Sequence, residues 1–187
     1  MRIVSGTCKG RVINPPKALK ARPTTDFAKE NLFNILTNRI EIENIRVLDI
    51  FSGSGSISYE FASRGAKQVV SVEKDPIHQS FIRQCSATLG LKNILSVKSN
   101  AFVFIKHSKE SFDLIFADPP YDLQEADNLP QLIFESTLLN DDGVFILEHS
   151  KSKDFSSSPH FQERRAYGSV NFSFFSREQN STNNEEK

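Results

Sequence analysis

The chain has 187 residues, of which 38% are hydrophobic and 25% are charged, and its formal net charge is zero. These values are typical of one soluble globular domain and require no second catalytic domain. The N-terminus lacks a signal-like apolar run, and no stretch approaches the roughly 18 uncharged apolar residues of a membrane span, so we expect a cytoplasmic protein. Cys8 and Cys85 lie far apart without C-x-x-C spacing, and the four histidines show no ligand spacing. We therefore expect neither a disulfide framework nor a metal site.

Residues 1–22 are predicted to form a basic β-hairpin extension. "MRIVSG", "TCKG" and "RVINPP" predict a strand, a glycine-containing turn and a second strand that ends at the double proline. The segment contains no acid and six basic residues, which are Arg2, Lys9, Arg11, Lys17, Lys20 and Arg22. Segregated positive charge on a neutral domain is suited to gripping phosphate, although a short basic run is more often only a solvated surface. Both interpretations stay open at this point.

An alternation of helices and strands follows the hairpin. "TTDFAKENLFNIL" predicts a helix capped by Thr24 or Thr25, because Phe27, Leu32, Ile35 and Leu36 recur at near-helical spacing. Strands are then predicted at 46–51, 68–73, 94–99, 112–117 and 143–149, with helices near 55–64, 76–89, 100–107 and 129–139. Such alternation predicts a mostly parallel sheet with helices on both faces.

The end of the chain changes character. "FQERRAYGSVNFSFFSRE" predicts two strands joined at Gly168, which would close the sheet as an antiparallel hairpin and bring it to seven strands. The polar "QNSTNNEEK" that follows predicts a disordered tail at 178–187. The core domain is accordingly expected to span 23–177.

A glycine turn follows the first strand of the alternation. "VLDIFSGSGSIS" places Asp49 late in that strand and Gly53 and Gly55 in the turn. Glycine lets backbone approach a ligand, and the N-terminus of the next helix offers N–H groups to an anion. Glu73, at the end of the next strand, is placed to accept hydrogen bonds from two ribose hydroxyls. A tight connection and a solvated strand end are the alternatives. The third glycine of G-x-G-x-x-G falls at Ser58, which weakens an NAD-binding interpretation.

"FDLIFADPPYDL" begins as a buried strand and ends abruptly. Pro119 and Pro120 lack a backbone N–H and cannot continue a central ladder, so the strand must stop at Asp118. In a parallel sheet this end is where ligands bind, which places a carboxylate and the ring of Tyr121 at a possible site. A strand-ending turn with a solvated aspartate is the alternative interpretation.

The combination of these motifs resembles the class I S-adenosylmethionine-dependent methyltransferases that modify exocyclic amino groups. More specifically, "RIVSGTCKGR", "ARPTTDFAKENLFNIL", "LDIFSGSGSISYEFASRGA", "FADPPY" and "YGSVNFSFFSRE" resemble the bacterial RsmD family of small-subunit rRNA guanine-(N2)-methyltransferases. The likeness covers nearly the whole chain up to the tail. Ser52 and Ser54 in the glycine turn are minor departures. The resemblance implies a Rossmann-like class I methyltransferase fold.

The resemblance also implies roles for individual residues. S-adenosylmethionine is the implied cofactor, and the residues implied to bind it are Asp49, Phe51, Gly53, Gly55, Glu73, Lys74, Asn100, Ala101 and Asp118. The implied catalytic residues, which face the amine to be methylated, are Asp118, Pro119, Pro120 and Tyr121. The implied RNA contacts are Lys9, Arg11, Lys17, Lys20, Arg22, Thr24 and Thr25, of which the last three can equally cover the cofactor. The implied partner is small-subunit ribosomal RNA or the assembling small subunit, bound by a monomer without a metal or a membrane.

Other functions remain open from the sequence. D-P-P-Y indicates only a planar amine, so the acceptor can also be adenine in nucleic acid or a protein glutamine. A non-catalytic ribosome-assembly factor that binds RNA is a further alternative, and an NAD oxidoreductase is the weakest. Methylation of a cytosine carbon needs a cysteine in this loop, and the loop contains none.

Overall fold

A computed structural model describes residues 1–16 and 25–177. The strands within these ranges are β1 (Arg46–Ile50), β2 (Gln68–Glu73), β3 (Ile94–Lys98), β4 (Phe112–Ala117), β5 (Leu139–Ser150), β6 (Phe161–Tyr167) and β7 (Val170–Ser176). The helices are α1 (Asp26–Thr37), α2 (Ser56–Ser63), α3 (Pro76–Leu89), α4 (Ala101–His107) and α5 (Leu129–Glu135), with a 3₁₀ turn at Gln124–Asn128 before α5.

The seven strands form one sheet in the order β3-β2-β1-β4-β5-β7-β6. β1 to β5 are mutually parallel, and β7 runs antiparallel to both of its neighbours. The chain therefore winds outward from β1 in one direction and from β4 in the other. In such a sheet, the crevice at the carboxyl ends of the two strands where the winding reverses is the usual ligand site. The predicted fold, including the closing hairpin, is confirmed.

The sheet is covered on both faces because its strands carry apolar residues on each side. One face packs against α1, α2 and α3 through residues such as Leu32, Phe61 and Ile82. The other packs against α4 and α5 through residues such as Ile105 and Ile133. Successive residues of β1 divide between the two clusters, as the two-residue period of a strand requires.

The predicted element boundaries differ from the structure mainly around β5. The helix predicted at 129–139 ends at Glu135, and the strand predicted to begin at 143 begins at Leu139. Leu139 pairs with Phe112, whereas the next aligned pair joins Leu114 to Val144, so residues 140–143 bulge out of the strand. The polar sequence N-D-D-G therefore marks a bulge within β5, and not the loop before it.

Helix α1 begins as predicted, with Thr25 as its N-cap, because the Thr25 hydroxyl accepts from the Ala28 amide at 3.1 Å. The apolar stripe is shifted from the predicted one: Phe27 is 65% exposed, and Lys29 is 1% exposed. The Lys29 ammonium donates to the Arg2 carbonyl at 2.6 Å and lies 3.2 Å from the Ser56 hydroxyl. Burial lowers the pKa of Lys29. A lysine thus joins α1, the N-terminal segment and the start of α2.

The N-terminal segment is a hairpin with little regular strand. A single antiparallel bridge joins Arg2 to Val12, and the Ile3 amide donates to the Arg11 carbonyl at 3.0 Å. Further backbone hydrogen bonds within it run from the Gly10 amide to the Ile3 carbonyl and from the Ile13 amide to the Met1 carbonyl, and the Thr7 amide donates to the Ser63 carbonyl of α2.

Glu60 of α2 holds this hairpin in place. Its side chain is fully buried and accepts from the amides of Val4 at 2.8 Å and Ser5 at 3.0 Å. Ile3 and Ile13 are buried in the core cluster beside it. A carboxylate that accepts two backbone N–H groups makes charge-assisted bonds, which are stronger than neutral ones. The described part of the hairpin is consequently packed onto the domain. The boundary at residue 22 stays a prediction, as does the tail at 178–187, which lies outside the described residues.

Candidate active site

A cavity of about 580 Å³ opens at the carboxyl edge of the sheet, where β1 and β4 lie side by side. Its size is typical of a site for a small ligand. It brings together most of the residues that the sequence singled out: Thr25, Asp49, Phe51, Gly53, Glu73, Lys74, Asn100, Ala101, Asp118, Pro119, Pro120 and Tyr121. These residues come from the start of α1 and from the carboxyl ends of β1, β2, β3 and β4 with the segments that follow them, and they meet because those ends lie at the same edge of the sheet.

The turn after β1 has an unusual backbone. Phe51, Gly53 and Gly55 all have positive φ, at 63°, 53° and 81°. Such values are uncommon for a non-glycine residue, so Phe51 is a strained position held by its surroundings. Gly55 does not line the cavity. A Cβ at this position would lie 2.8 Å from the Tyr59 ring, so Gly55 allows α2 to start close to the turn. Its predicted contact with a cofactor stays a prediction.

Asp49 lies beneath this turn and is 2% exposed. Its carboxylate accepts from the Ser58 hydroxyl at 2.5 Å. Burial raises the pKa of Asp49 to about 7, against the effect of the hydrogen bonds from Ser58, and the negative charges of Glu73 and Glu148 raise it further. The carboxyl group is thus poised to ionise near neutral pH when a positive charge approaches.

Glu73 fastens the glycine turn to the start of α3. Its two carboxylate oxygens accept from the amides of Gly53 and Asp75, each at 2.9 Å, and the residue is 8% exposed. A carboxylate offers about four acceptor positions, so both oxygens keep capacity for hydroxyl donors from the cavity. Glu73, the predicted ribose acceptor, therefore has a structural role that the sequence did not reveal.

Asn100 and Ala101 lie where β3 passes into α4. The Asn100 side chain caps the helix by accepting from the amides of Phe102 at 2.9 Å and Val103 at 3.3 Å. Ala101 is 5% exposed. The cap fixes this stretch of backbone against the cavity wall.

The D-P-P-Y loop forms the opposite wall. Asp118 follows the last residue of β4, and the Leu123 amide donates to the Pro120 carbonyl at 3.0 Å, which closes a turn. Tyr121 is 46% exposed and lies at the rim. The strand stops where the prolines predicted, and the carboxylate and the aromatic ring both line the cavity.

The predicted RNA contacts are only partly described. Lys17, Lys20, Arg22 and Thr24 lie outside the described residues. Lys9 and Arg11 are exposed. The turn that carries Lys9 packs on Ser63, at the far end of α2 from the cavity, which is ~12 Å of helix away. Arg2, which is also exposed, lies at the cavity end of the hairpin, where Met1 contacts Ser54.

Sequence reasoning did not single out every residue of the cavity. Glu148 of β5, His78 of α3 and Ser169 between β6 and β7 also line it. A signal for Glu148 was present, because it is an acid at the end of an apolar strand, as are Glu73 and Asp118. No comparable signal marks His78 or Ser169.

The charges that line the cavity are mainly negative. The described carboxyl groups are Asp49, Glu73, Asp75, Asp118, Glu125 and Glu148, whereas Lys74 is the single lysine or arginine among the described lining residues. Such a site favours a ligand with positive charge and opposes the pyrophosphate of a dinucleotide. The NAD interpretation is therefore disfavoured by the site itself.

Residues 1–176 match the family described as Conserved hypothetical protein 95, which is the RsmD family. The chain belongs to this family. Two other RsmD-family members are named Ribosomal RNA small subunit methyltransferase D. The Escherichia coli K12 protein is 29% identical over 182 residues, covering 95% of this chain and 90% of that protein. The Haemophilus influenzae protein is 31% identical over 157 residues, covering 82% of this chain and 80% of that protein.

Solved structures show the same fold. A hypothetical protein of Thermus thermophilus superposes with a TM-score of 0.83 at 31% identity, covering 94% of this chain and 99% of that one. A precorrin-6y C5,15-methyltransferase of Geobacter metallireducens has a TM-score of 0.69 at 16% identity, covering 88% of this chain and 94% of that one. The second likeness concerns the fold alone, which is that of class I methyltransferases.

No helix of the described ranges is long and apolar enough to cross a membrane. Residues 1–16 and 25–177 contain no group of three or more His, Cys, Asp or Glu side chains arranged to hold a metal ion.

Proposed function

We propose that this protein transfers a methyl group from S-adenosylmethionine to the exocyclic amino nitrogen of a guanine in small-subunit ribosomal RNA, acting in the cytoplasm as a monomer. One observation carries the proposal. The glycine turn, whose Gly53 amide donates to Glu73, and the D-P-P-Y loop open into one cavity. Membership of the RsmD family and the names of its relatives support the RNA substrate.

The residues present fit the cofactor. S-adenosylmethionine supplies a methyl group on a positively charged sulfur. Asp49 and the turn at Gly53 would hold its methionine part, Glu73 would accept from its ribose hydroxyls, and Asn100 and Ala101 would flank its adenine. The acid-rich lining suits a cationic ligand, and the raised pKa of Asp49 allows its ionisation to accompany binding of that charge.

The D-P-P-Y loop would prepare the amine. A guanine amino nitrogen is a poor nucleophile because its lone pair is delocalised into the ring. An Asp118 oxygen and the Pro119 carbonyl can each accept one N–H, which favours a tetrahedral nitrogen with its lone pair aimed into the cavity. The gain comes mainly from positioning and preorganised electrostatics. As the new N–C bond forms, the methyl group would leave its sulfur, which would keep the bonding pair as a neutral thioether, and one amine proton would leave late, to Asp118 or to solvent.

Tyr121 would support the base after it leaves the RNA stack. Its ring lies at the rim and is half-exposed, as a stacking surface for an extruded base requires. Proline at 119 and 120 fixes the backbone on which the carbonyl and the ring depend. No covalent nucleophile is needed.

The direct test offers methyl-labelled S-adenosylmethionine to unmodified small-subunit RNA and to partly assembled particles, followed by nucleoside analysis. Label in N2-methylguanosine supports the proposal, and label in methyladenosine would move the acceptor to adenine. Cofactor binding without transfer to either substrate would favour the non-catalytic assembly factor. Label absent from all RNA but present on a glutamine of a particle protein would refute the RNA substrate.

Two substitutions at Asp118 test its role. Asp118→Ala should lower the single-turnover rate at saturating cofactor by about 10²-fold, the scale for loss of one preorganised polar group. The rate of Asp118→Asn should lie between those of the wild type and Asp118→Ala, because asparagine keeps one acceptor oxygen but loses the charge. Cofactor affinity should barely change. Asp122→Ala is the matched control, since Asp122 is exposed in the same loop. Near-normal transfer by Asp118→Ala would mean that the motif only ends the strand.

A further inference from the structure

Glu148 is a buried acid in the active-site cavity, and the proposed methyl transfer gives it no role. It lies near the end of β5, is 2% exposed and lines the cavity. The residues before it in β5, Phe145 to Leu147, are apolar and buried. A buried acid that lines a ligand-sized cavity is one of the few polar groups that can fix the orientation of what binds there.

The strand register places Glu148 beside Asp118. Phe116 pairs with Ile146 and Ala117 with Leu147, so the next residue on each strand is Asp118 on one side and Glu148 on the other. Paired residues of neighbouring strands point to the same face and are about 4.8 Å apart. The two carboxylates are thus neighbours above the same face of the sheet.

That face is the one on which the chemistry is proposed to occur. Asp49 pairs with Phe116 from the other side of β4, and Phe116 itself lines the cavity. The negative charge of Glu148 contributes to the raised pKa of Asp49, as expected for two carboxyl groups that face the same interior. A base held by Asp118 would therefore have Glu148 along its edge.

Guanine and adenine differ at N1, on the edge of the base that would face Glu148, and a carboxylate interacts differently with the two. Guanine carries an N1–H donor next to its amino group, whereas N1 of adenine is an acceptor with a lone pair. A carboxylate only accepts hydrogen bonds when ionised, so it pairs with guanine N1–H and opposes adenine N1. A buried polar group left without its partner discriminates more strongly than a lost apolar contact.

We infer that Glu148 selects guanine by accepting its N1–H, while Asp118 and the Pro119 carbonyl hold the two amino hydrogens. The inference rests on the proposed function, and it supplies the specificity that D-P-P-Y alone does not. Glu148 is then a specificity-determining residue in contact with the substrate.

The test uses an analogue that retains the reacting amine. In 2-aminopurine the 2-amino group is present, but N1 is an acceptor. Small-subunit RNA with the methylated guanine, or with 2-aminopurine at that position, is given to the wild type and to Glu148→Gln. The glutamine amide can donate to N1, so the ratio of guanine to 2-aminopurine rates should fall by about 10- to 100-fold in the variant. Because both rates come from one enzyme preparation, any loss of folded protein cancels in the ratio.

Two further variants keep the result interpretable. Glu148→Asp retains the charge and should retain the guanine preference at a lower rate, whereas Glu30→Gln, an exposed change on α1, should leave the ratio unaltered. An unchanged ratio in Glu148→Gln, or the same fall in Glu148→Asp, would overturn this inference alone. Failure of the wild type to methylate any guanine would overturn the proposed function, and this inference with it.

Discussion

Replacing Glu73 by glutamine separates its observed role, which is to hold the glycine turn, from its proposed role as an acceptor for the cofactor ribose. In the wild type both oxygens accept backbone amides, from Gly53 and Asp75 at 2.9 Å. Glutamine keeps one carbonyl oxygen and puts an NH₂ group where the other oxygen was. One of the two amides then faces a donor instead of an acceptor, in a site that is only 8% open to water.

The expected loss follows from that geometry. A hydrogen bond to a charged group is worth roughly 1.5 to 3 kcal/mol, so we expect a fall of about that size in the free energy of unfolding. For a chain of this length, 1 kcal/mol shifts the melting temperature by about 2 to 4 °C, which gives a fall of roughly 3 to 12 °C. Loss of the charged acceptor for ribose should also weaken cofactor binding by about 10- to 100-fold.

Thermal unfolding of the ligand-free protein measures the first effect, and calorimetric titration with S-adenosylmethionine measures the second. The exposed Glu30→Gln change on α1 is the matched control and should alter neither. If Glu73→Gln melts at the wild-type temperature, Glu73 does not stabilise the glycine turn. A lowered melting temperature with unchanged cofactor affinity would show that Glu73 holds the turn without binding the ribose.

Two other predictions concern pH and salt. The pKa of Asp49 is higher in the folded chain, about 7, than its ordinary 3.8, so the folded state holds this proton longer and stability should fall as pH rises from about 4 to 7. Asp49→Asn should then gain up to about 4 kcal/mol over the wild type between pH 4 and pH 8 in denaturant titrations of ligand-free protein; a difference independent of pH would contradict this. Reversing Lys9 and Arg11 to Glu should weaken RNA binding and flatten the slope of log affinity against log salt by about 0.7 to 0.9 per lost phosphate contact, with cofactor binding intact. An unaltered slope would mean that the hairpin does not touch phosphate.

The sequence by itself determined the kind and order of the elements. Alternating apolar strands and helices predicted the doubly covered sheet, and the prolines after Asp118 predicted where β4 stops. These signals are local, because residue spacing and proline geometry act within a few positions. The same locality predicted that Asp49, Glu73 and Asp118 would lie at strand ends, and so at one edge of a parallel sheet.

The tertiary structure decided the partners of these groups. Glu73 and Gly53 are 20 residues apart, and their contact exists because β2 pairs beside β1. Glu148 reaches the cavity only because β5 pairs with β4 in a register that aligns Leu147 with Ala117, the residue before Asp118. Strand order and register depend on how all the apolar faces pack together, so no local pattern specifies them.

The N-terminal hairpin shows the same division between local and tertiary information. Its glycine turn and double proline predicted its shape. Its position, however, depends on Glu60, whose carboxylate accepts a hydrogen bond from the amide of Val4, 56 residues away. A lone acid on a helix is ordinarily solvated, and docking of the hairpin supplies two backbone N–H donors that, together with the Arg64 guanidinium, compensate the burial of Glu60. Interactions between residues near in the sequence thus determined the helices and strands, and contacts between residues distant in the sequence assembled the site.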